Sequence, residues 1–423
     1  MLTGGLKLDL TDKIYDLGTL PEVGVVPRKM HAWTIRTERL GSINTAFQDE
    51  IVDTPLPRAG EVLVAVYAAG VNYNGIWAAN GIPKNVIDTN GSYGDKAEDF
   101  HICGSEASGV IYAVGEGVTN VAVGDSVLLM SWRYDKDCEY IKNGGEPEFS
   151  ASYHIWGYES NWGAFAQFCR VYDYQCVKKP DCLSWSEAAL CSVTGVTVNR
   201  MLRHWKPNEV KAGDVILVWG GSGGLGSSAI QQAKCYGAVP IAVVSSDEKG
   251  EYCKSIGAAG YINRTKFSNW GSIDALDERN YKMWLIQAAK FRNEIFSIIG
   301  EKKLPDIVIE HPGSDTLATS LFVCSPGGMV VLCGATSGYI GAIDLRYLWI
   351  YQKRLQGSHT GSASDCIEYL RLCEEKGLRP VIGKEYSWSE LPIAHTDMEA
   401  SGAVMGKYVI KVVEDNTDQA VNI

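Results

Sequence analysis

A chain of 423 residues is too long for one typical hydrophobic core, so two domains are expected. A net charge of -11 argues against a nucleic-acid-binding surface, no apolar run reaches membrane-spanning length, and the opening residues carry neither the basic nor the apolar region of a leader, so a cytoplasmic protein is expected. Twelve cysteines scattered from Cys103 to Cys373, with no CxxC pair, read as reduced and mostly buried thiols rather than a disulfide framework.

In chain order, short apolar runs separated by turn signals come first: Met30 to Ile35, Glu61 to Tyr67 after Pro57-Arg58-Ala59-Gly60, Gly109 to Val114, Asp125 to Met130 and Ala164 to Val171. This pattern predicts a mostly β domain of Greek-key or barrel character. The texture changes at Ser184, where Ser184 to Glu187 reads as a capping box and the following AALCSVTGVTVNRMLRH as one helix. Strands at 214–219, 239–245, 259–262, 306–310 and 328–333 then alternate with helices, which predicts a doubly wound parallel sheet. A helix from Ala363 to Lys376 and a β segment from Gly406 to Val412 follow, and the tail is expected to return to the first domain. The expected division is 1–192 with 357–423 for the first domain and 193–356 for the second.

The strand Asp214 to Trp219 runs into Gly220-Gly221-Ser222-Gly223-Gly224-Leu225-Gly226 and then into the helical stretch Ser227 to Gly237. With a strand before it and a helix after it, the spacing of Gly221, Gly223 and Gly226 is a dinucleotide fingerprint. Without Cβ atoms the turn, with Gly224, Leu225 and Gly226 at its end, is tight and a pyrophosphate reaches the backbone, while the N-terminus of the following helix offers N–H groups that have no internal partner. The next strand ends in Ser245-Ser246-Asp247-Glu248-Lys249. Two hydroxyls, Lys249, and Arg264 beyond the following strand suit a ribose 2′-phosphate, so NADP is favoured; Asp247 is the dissenting residue, because turned inward it would bind a 2′-hydroxyl and reverse the preference.

Gly104-Ser105-Glu106-Ala107-Ser108-Gly109-Val110, followed by Val114-Gly115-Glu116-Gly117-Val118 and Val123-Gly124-Asp125-Ser126-Val127, resembles the medium-chain dehydrogenase/reductase superfamily over nearly the whole chain. Many members bind a catalytic zinc; here Ser105 stands where their histidine would be, Val71-Asn72-Tyr73-Asn74 where the first cysteine would fall, and the four-cysteine lobe of a structural zinc is missing. Five further stretches resemble the crotonyl-CoA carboxylase/reductase family: Val71 to Asn74, Ile155 to Asn161, Glu310 to Gly313, Arg346 to Trp349 and Lys353 to His359. The fold implied is α/β, a Rossmann doubly wound parallel sheet domain that binds NADPH plus a mostly β GroES-like catalytic domain.

The implied chemistry is hydride transfer to the β-carbon of a short-chain 2-enoyl-CoA. Capture of the resulting enolate by carbon dioxide gives a 2-alkylmalonyl-CoA. The resemblance places Asn74, Tyr158, Glu159 and His359 around the carbon dioxide, with donors on Asn74 and His359, Glu159 orienting the histidine or a water, and Trp156, Tyr158 and Trp162 excluding solvent. Tyr158 departs from the family, whose matching residue is typically phenylalanine, and its hydroxyl would recruit water. Arg346 and Lys353 are expected to meet the CoA phosphates, Thr197 and Gly334-Ala335-Thr336 the nicotinamide, and the chain is expected to form a homodimer or homotetramer. His31, His101, His154, His204, His311 and His395 are assigned to packing or surface. The rival readings are a non-carboxylating acryloyl- or crotonyl-CoA reductase, a quinone oxidoreductase and a non-catalytic NADPH-binding protein.

Overall fold

In the computed structural model, which describes residues 8–83, 85–87, 97–273, 276–400 and 405–413, the apolar run Glu61–Gly70 (β1) forms the axis of the first sheet. Residues 1–7, part of the opening segment read above for a leader, lie outside the described residues. Val62 to Val66 are all 0 % exposed, which is why the run shows no polar alternation: both faces of the strand are covered. Antiparallel pairing leads from β1 to β2 (Ala107–Val114) and β3 (Ser126–Leu129), while β4 (Phe168–Tyr172) lies along the first half of β1 and β5 (Cys176–Lys178) pairs with β3. A helix, Tyr73–Asn80 (α1), follows β1 directly. A smaller sheet of Lys29–Ile35, Gln48–Asp53 and His101–Ile102 completes this part.

The capping box at Ser184 forms as expected: its hydroxyl accepts from the Glu187 N–H at 3.1 Å and the Glu187 carboxylate accepts from the Ser184 N–H at 2.8 Å. The single long helix expected after it does not form. Trp185–Ala189 (α2) passes into a π turn, Cys191–Gly195, before Val196–Arg203 (α3). One cause is visible, since the Val193 N–H donates to the buried Glu106 carboxylate at 2.9 Å instead of staying within the helical ladder.

The second sheet is parallel throughout. Its strands are β6 (Val215–Trp219), β7 (Val239–Val244), β8 (Gly260–Asn263), β9 (Ile307–Glu310), β10 (Met329–Leu332) and β11 (Arg354–Gly357), in spatial order β8-β7-β6-β9-β10-β11. Alternate residues of β6 explain the double winding. Ile216 and Val218 pack with Ala229, Ile230 and Ala233 of α4 (Gly224–Cys235), whereas Val215, Leu217 and Trp219 pack with Phe291 and Ile295 of a long helix on the other face. Each such side chain contributes about 1.5–3 kcal/mol on burial. Asp247–Ser255 (α5), Glu278–Ile299 (α6), Leu317–Val323 (α7) and Leu345–Trp349 (α8) are the next helices. The sixth strand, β11, was not expected, because its sequence RLQG has a half-exposed, polar pattern with no apolar run.

The return to the first unit comes later than residue 357. The chain divides into residues up to Val193 with those from Ile382 onward, and Thr194–Val381. Helix α9 (Ala363–Lys376) stays with the second unit because it packs on α3 and α4: Asp365 pairs with the buried Arg200 at 3.3 Å, Glu368 accepts from the Tyr236 hydroxyl at 3.1 Å, and the Tyr369 ring occupies the space that a Cβ on Gly195 would need. After it, β12 (Ile382–Tyr386), α10 (Leu391–Glu399) and β13 (Lys407–Lys411) close the first unit, with β13 antiparallel to the end of β1. All twelve cysteines are free thiols, and among the described residues no helix is long and apolar enough to cross a membrane.

Candidate active site

Because all six strands of the second sheet are parallel, their C-terminal ends share one edge, and the segments following them meet there. After β6 the chain turns through Gly220, with φ at +58°, and α4 begins with Gly223 as its N-cap. The glycines of the turn do different work. A Cβ on Gly226 would lie 2.2 Å from the Gly220 carbonyl oxygen, and one on Gly221 would lie 2.7 Å from the Ala242 Cβ, so both are needed for helix and strands to approach. A Cβ on Gly223 would meet nothing closer than 3.5 Å. Its open face, beside the half-buried Gly224 and Leu225, is a cradle that suits a pyrophosphate.

After β7, the Ser246 hydroxyl caps α5 by accepting from the Lys249 N–H at 3.2 Å, and the Lys249 ammonium donates to the Ser245 hydroxyl at 3.3 Å. Asp247 does not join them. Asn263 donates to its carboxylate at 3.1 Å and the Lys266 ammonium lies 3.2 Å away, which holds the carboxyl below its usual range. Arg264 opens a short turn after β8, with its side chain exposed. Gly334-Ala335-Thr336 follow β10, and the Thr336 N–H donates to the His311 carbonyl at 3.2 Å, tying this loop to the one after β9. Thr197 is buried in the first turn of α3.

His311 was assigned to packing, and the structure gives it a more exact place. Its Nε2 lies 2.6 Å from where a Cβ on Gly220 would stand, directly against the nucleotide turn, and burial holds its pKa below the ordinary value. The loop that presents it is fixed by Glu310, whose buried carboxylate accepts from Gly313 N–H (3.1 Å), Thr316 Oγ1 (2.7 Å) and Ser320 Oγ (2.5 Å) and is pushed up to about 7 by burial. Sequence carried one signal for this: Glu310 and His311 both stand in a family-like stretch.

Arg346 opens α8 and is exposed, with Asp344 bonded to its guanidinium at 2.6 Å and the Tyr281 hydroxyl at 3.3 Å. That guanidinium lowers the Asp344 carboxyl to about 2. Arg346 also lines a pocket of about 490 Å³ with Tyr281, Lys282, Tyr347 and Tyr351. Lys353 does not face such a pocket. It is 8 % exposed, and its ammonium donates to the Leu321 carbonyl at 2.7 Å and the Phe322 carbonyl at 3.3 Å, so it caps the C-terminus of α7. His359, two residues after β11, is exposed.

In the first unit, α1 places Asn74 and Trp77 three residues apart on one face. The Trp77 ring lies 6.3 Å from the Tyr158 ring. Tyr158 and Glu159 belong to a turn closed on itself, in which the Glu159 carboxylate accepts from the Ile155 N–H at 2.8 Å and the Glu159 N–H donates to the Ile155 carbonyl at 2.7 Å. Asn74 donates its amide Nδ2–H to the Ser105 hydroxyl at 2.6 Å. The structure thus gathers Asn74 and Tyr158 around one loop, 103–105. Gly157, with φ at +69°, is pressed so close that a Cβ there would stand 1.9 Å from the Gly104 carbonyl oxygen. Behind α1, a Cβ on Gly75 would lie 2.3 Å from His395 Nε2, which is how α10 seats against it.

At the start of β2, Glu106 is 0 % exposed and holds three partners: the Lys407 ammonium, the Asn72 amide at 2.9 Å and the Val193 N–H. Ser105, and Asn72 and Asn74 of the stretch Val71 to Asn74, are thus engaged in hydrogen bonds. Among the described residues no three His, Cys, Asp or Glu side chains are grouped to hold a metal.

Comparisons with known proteins agree with this organisation. A family model described as the alcohol dehydrogenase GroES-like domain matches residues 58–181, and one described as zinc-binding dehydrogenase matches 224–375, wholly within the second unit. A crotonyl-CoA carboxylase/reductase of Cereibacter sphaeroides is 43% identical over 404 residues, covering 96% of this chain and 92% of its own. A crotonyl-CoA reductase of Streptomyces avermitilis is 34% identical, over 90% of this chain and 87% of its own. Among solved structures, crotonyl-CoA carboxylase/reductase AntE in complex with NADP superposes with a TM-score of 0.90 at 43% identity, over 94% of this chain and 98% of that one. The 2-octenoyl-CoA carboxylase reductase CinF, in complex with NADP and 2-octenoyl-CoA, gives 0.85 at 31% identity, over 94% and 91%. With the nucleotide turn, the two-unit division and near-complete coverage in agreement, the chain belongs to the crotonyl-CoA carboxylase/reductase family of the medium-chain dehydrogenase/reductases.

Proposed function

We propose that the protein reduces a short-chain 2-enoyl-CoA of the crotonyl type with NADPH and captures the enolate with carbon dioxide, giving a 2-alkylmalonyl-CoA. The observation that carries this reading is the Asn74–Ser105 hydrogen bond beside the Tyr158 turn, which fixes a carboxamide there. When bound, NADPH supplies the hydride that reaches the β-carbon. The backbone N–H groups at the start of α4 hold its pyrophosphate, with Gly223 leaving the room.

The choice of NADPH over NADH rests on Asp247, which is turned to Asn263 and Lys266, and on Lys249 beside Ser245. Lys249→Ala is expected to raise KM for NADPH about 10- to 100-fold, the loss of a charge-assisted bond to the 2′-phosphate, and to leave KM for NADH in place. Steady-state kinetics with both cofactors check this; parallel loss with both would contradict the assignment. Arg346 and Lys282 meet the CoA phosphates, and Tyr281, Tyr347 and Tyr351 offer aromatic walls to its adenine.

At the reacting carbon the protein must hold carbon dioxide and keep water away. Asn74 keeps a second amide N–H for a carbon dioxide oxygen. The carboxylate of Glu159 is anchored by Ile155, which fixes the orientation of its turn. One observation favours the plain reductase as a second reading: Tyr158 is half-buried and carries a hydroxyl able to bind water, the competing proton source.

The deciding experiment supplies crotonyl-CoA, NADPH and isotope-labelled bicarbonate with carbonic anhydrase, and separates the acyl-CoA products. Label is expected in a dicarboxylic acyl-CoA in step with NADPH oxidation, and Tyr158→Phe should raise that fraction. Saturated, unlabelled product alone would establish the reductase instead. Self-association as a homodimer or homotetramer is part of the same proposal; the edge strand β11 and the exposed Trp349, Ile350 and Leu355 around it are in keeping with it.

A further inference from the structure

We propose that Ser105 is a positioning residue for carboxylation: it fixes the rotation of the Asn74 carboxamide and so sets the partition of the enolate between carbon dioxide and a proton. This rests on the functional reading above and names a residue it did not include.

An asparagine carboxamide has a donor end and an acceptor end of nearly the same shape, and its terminal torsion is broad and roughly two-fold. Left to itself, Asn74 would present either end to the substrate. In the structure the Nδ2 end is the one that Ser105 holds. Its hydroxyl oxygen accepts from Asn74 Nδ2 at 2.6 Å, and the side chain is 1 % exposed, so no solvent substitutes for it. With one amide hydrogen held there, the second is directed away from Ser105 and the carbonyl oxygen is kept off the hydroxyl.

The hydroxyl is a rigid reference point because both neighbours of Ser105 are immobilised. On one side Gly104, with φ at +102°, accepts from the Ala164 N–H at 2.9 Å and has Gly157 pressed against its carbonyl. On the other, Glu106 is held by Lys407, by the Val193 N–H and by Asn72, two residues before Asn74 on the same turn. The carboxamide and the hydroxyl are therefore both referred to one buried charge cluster.

The chemistry needs that reference. Hydride addition at the β-carbon leaves an electron pair on the α-carbon. If that pair attacks carbon dioxide, a carbon–carbon bond forms, one C=O bond of the gas opens, and the charge ends on a carboxylate. If it takes a proton from water, the saturated thioester and hydroxide result. Both routes follow the same hydride transfer, so a group acting only on capture changes the product ratio and the demand for carbon dioxide. An amide oxygen turned toward carbon dioxide would repel its oxygens and would accept a hydrogen bond from water.

The test measures, for wild type, Ser105→Ala, Ser105→Cys, Asn74→Ala and the Asn74→Ala/Ser105→Ala pair, the labelled dicarboxylic and unlabelled saturated products against carbon dioxide concentration. In Ser105→Ala the apparent KM for carbon dioxide should rise about tenfold, the effect of one lost orienting bond, with a smaller loss of total hydride transfer. Ser105→Cys, of similar shape and weaker acceptor strength, should fall between the two. In the Asn74→Ala background the serine change should shift the partition no further. An unchanged partition, an equal loss of both products, or an additive effect in the double variant overturns the proposal. A wild type that forms no labelled product overturns the functional reading itself, and the two failures are thereby told apart.

Discussion

Gly226→Ala is expected to abolish NADPH binding and to lower thermal stability together, whereas Gly223→Ala removes the cofactor and leaves the fold standing. At Gly226 the new Cβ would lie 2.2 Å from the Gly220 carbonyl oxygen and 2.6 Å from the Gly221 Cα. Both are backbone atoms, so α4 must move off the end of β6, an overpacking cost of about 1–3 kcal/mol or more. For a unit of this size that is a fall in Tm of about 2–4 °C per kcal/mol. At Gly223 the nearest atom is 3.5 Å away, so the apo protein accommodates the methyl group. That group fills the face by which a pyrophosphate reaches the helix N–H groups. Two charge-assisted bonds lost at about 1.5–3 kcal/mol each weaken Kd by at least about 100-fold. NADPH fluorescence titration and melting of the apo proteins separate the two behaviours. A Gly223→Ala protein with wild-type affinity would remove the turn from the cofactor site.

The second large effect is expected at Lys407. Its ammonium is 5 % exposed and pairs with Glu106, which is fully buried. Burial drives the lysine pKa down, yet removing the lysine is worse than keeping it, because Glu106 is then a buried carboxylate whose remaining partners are neutral amides. Lys407→Met should cost about 3–5 kcal/mol at neutral pH. The sign of its pH dependence follows. Without the ammonium, the folded-state pKa of Glu106 is raised above its unfolded value, so the folded variant binds more protons than the unfolded chain between those two values and gains stability as pH falls. Urea unfolding at pH 7 and pH 5 should show the gap to wild type narrowing on acidification. A gap below about 1 kcal/mol, or one indifferent to pH, would mean that the pair contributes little.

What sequence revealed and what it hid divide along the range of the interactions involved. The strands, the glycine turn and the capping box at Ser184 are local patterns, written in neighbouring residues, and they form as read. The unbroken helix after Ser184 fails because Glu106, distant in sequence, takes the Val193 N–H. Lys353 reads as a phosphate ligand until α7 presents its last carbonyls to it. Asp247 was ambiguous for the same reason; its direction is decided by Asn263 and Lys266 on the next strand and turn. Helix α9 was assigned to the wrong unit because its apolar face does not say which partner it meets; Arg200 and Tyr236 supply that information. Ser105 was visible only as a missing metal ligand, since a serine in sequence does not show which side chain will bond to it.

The contact between Gly157 and the Gly104 carbonyl bears on how this site can be redesigned. The Asn74 carboxamide and the Tyr158 turn both rest against one stretch of backbone that has no spare room, so remodelling by insertion or by loop grafting at 103–105 or 155–159 would disturb both at once. A library seeking other acyl groups is better spent on side chains such as Trp77 and Tyr158, whose ring centroids lie 6.3 Å apart. Diversity there samples new shapes without loosening the frame on which they stand.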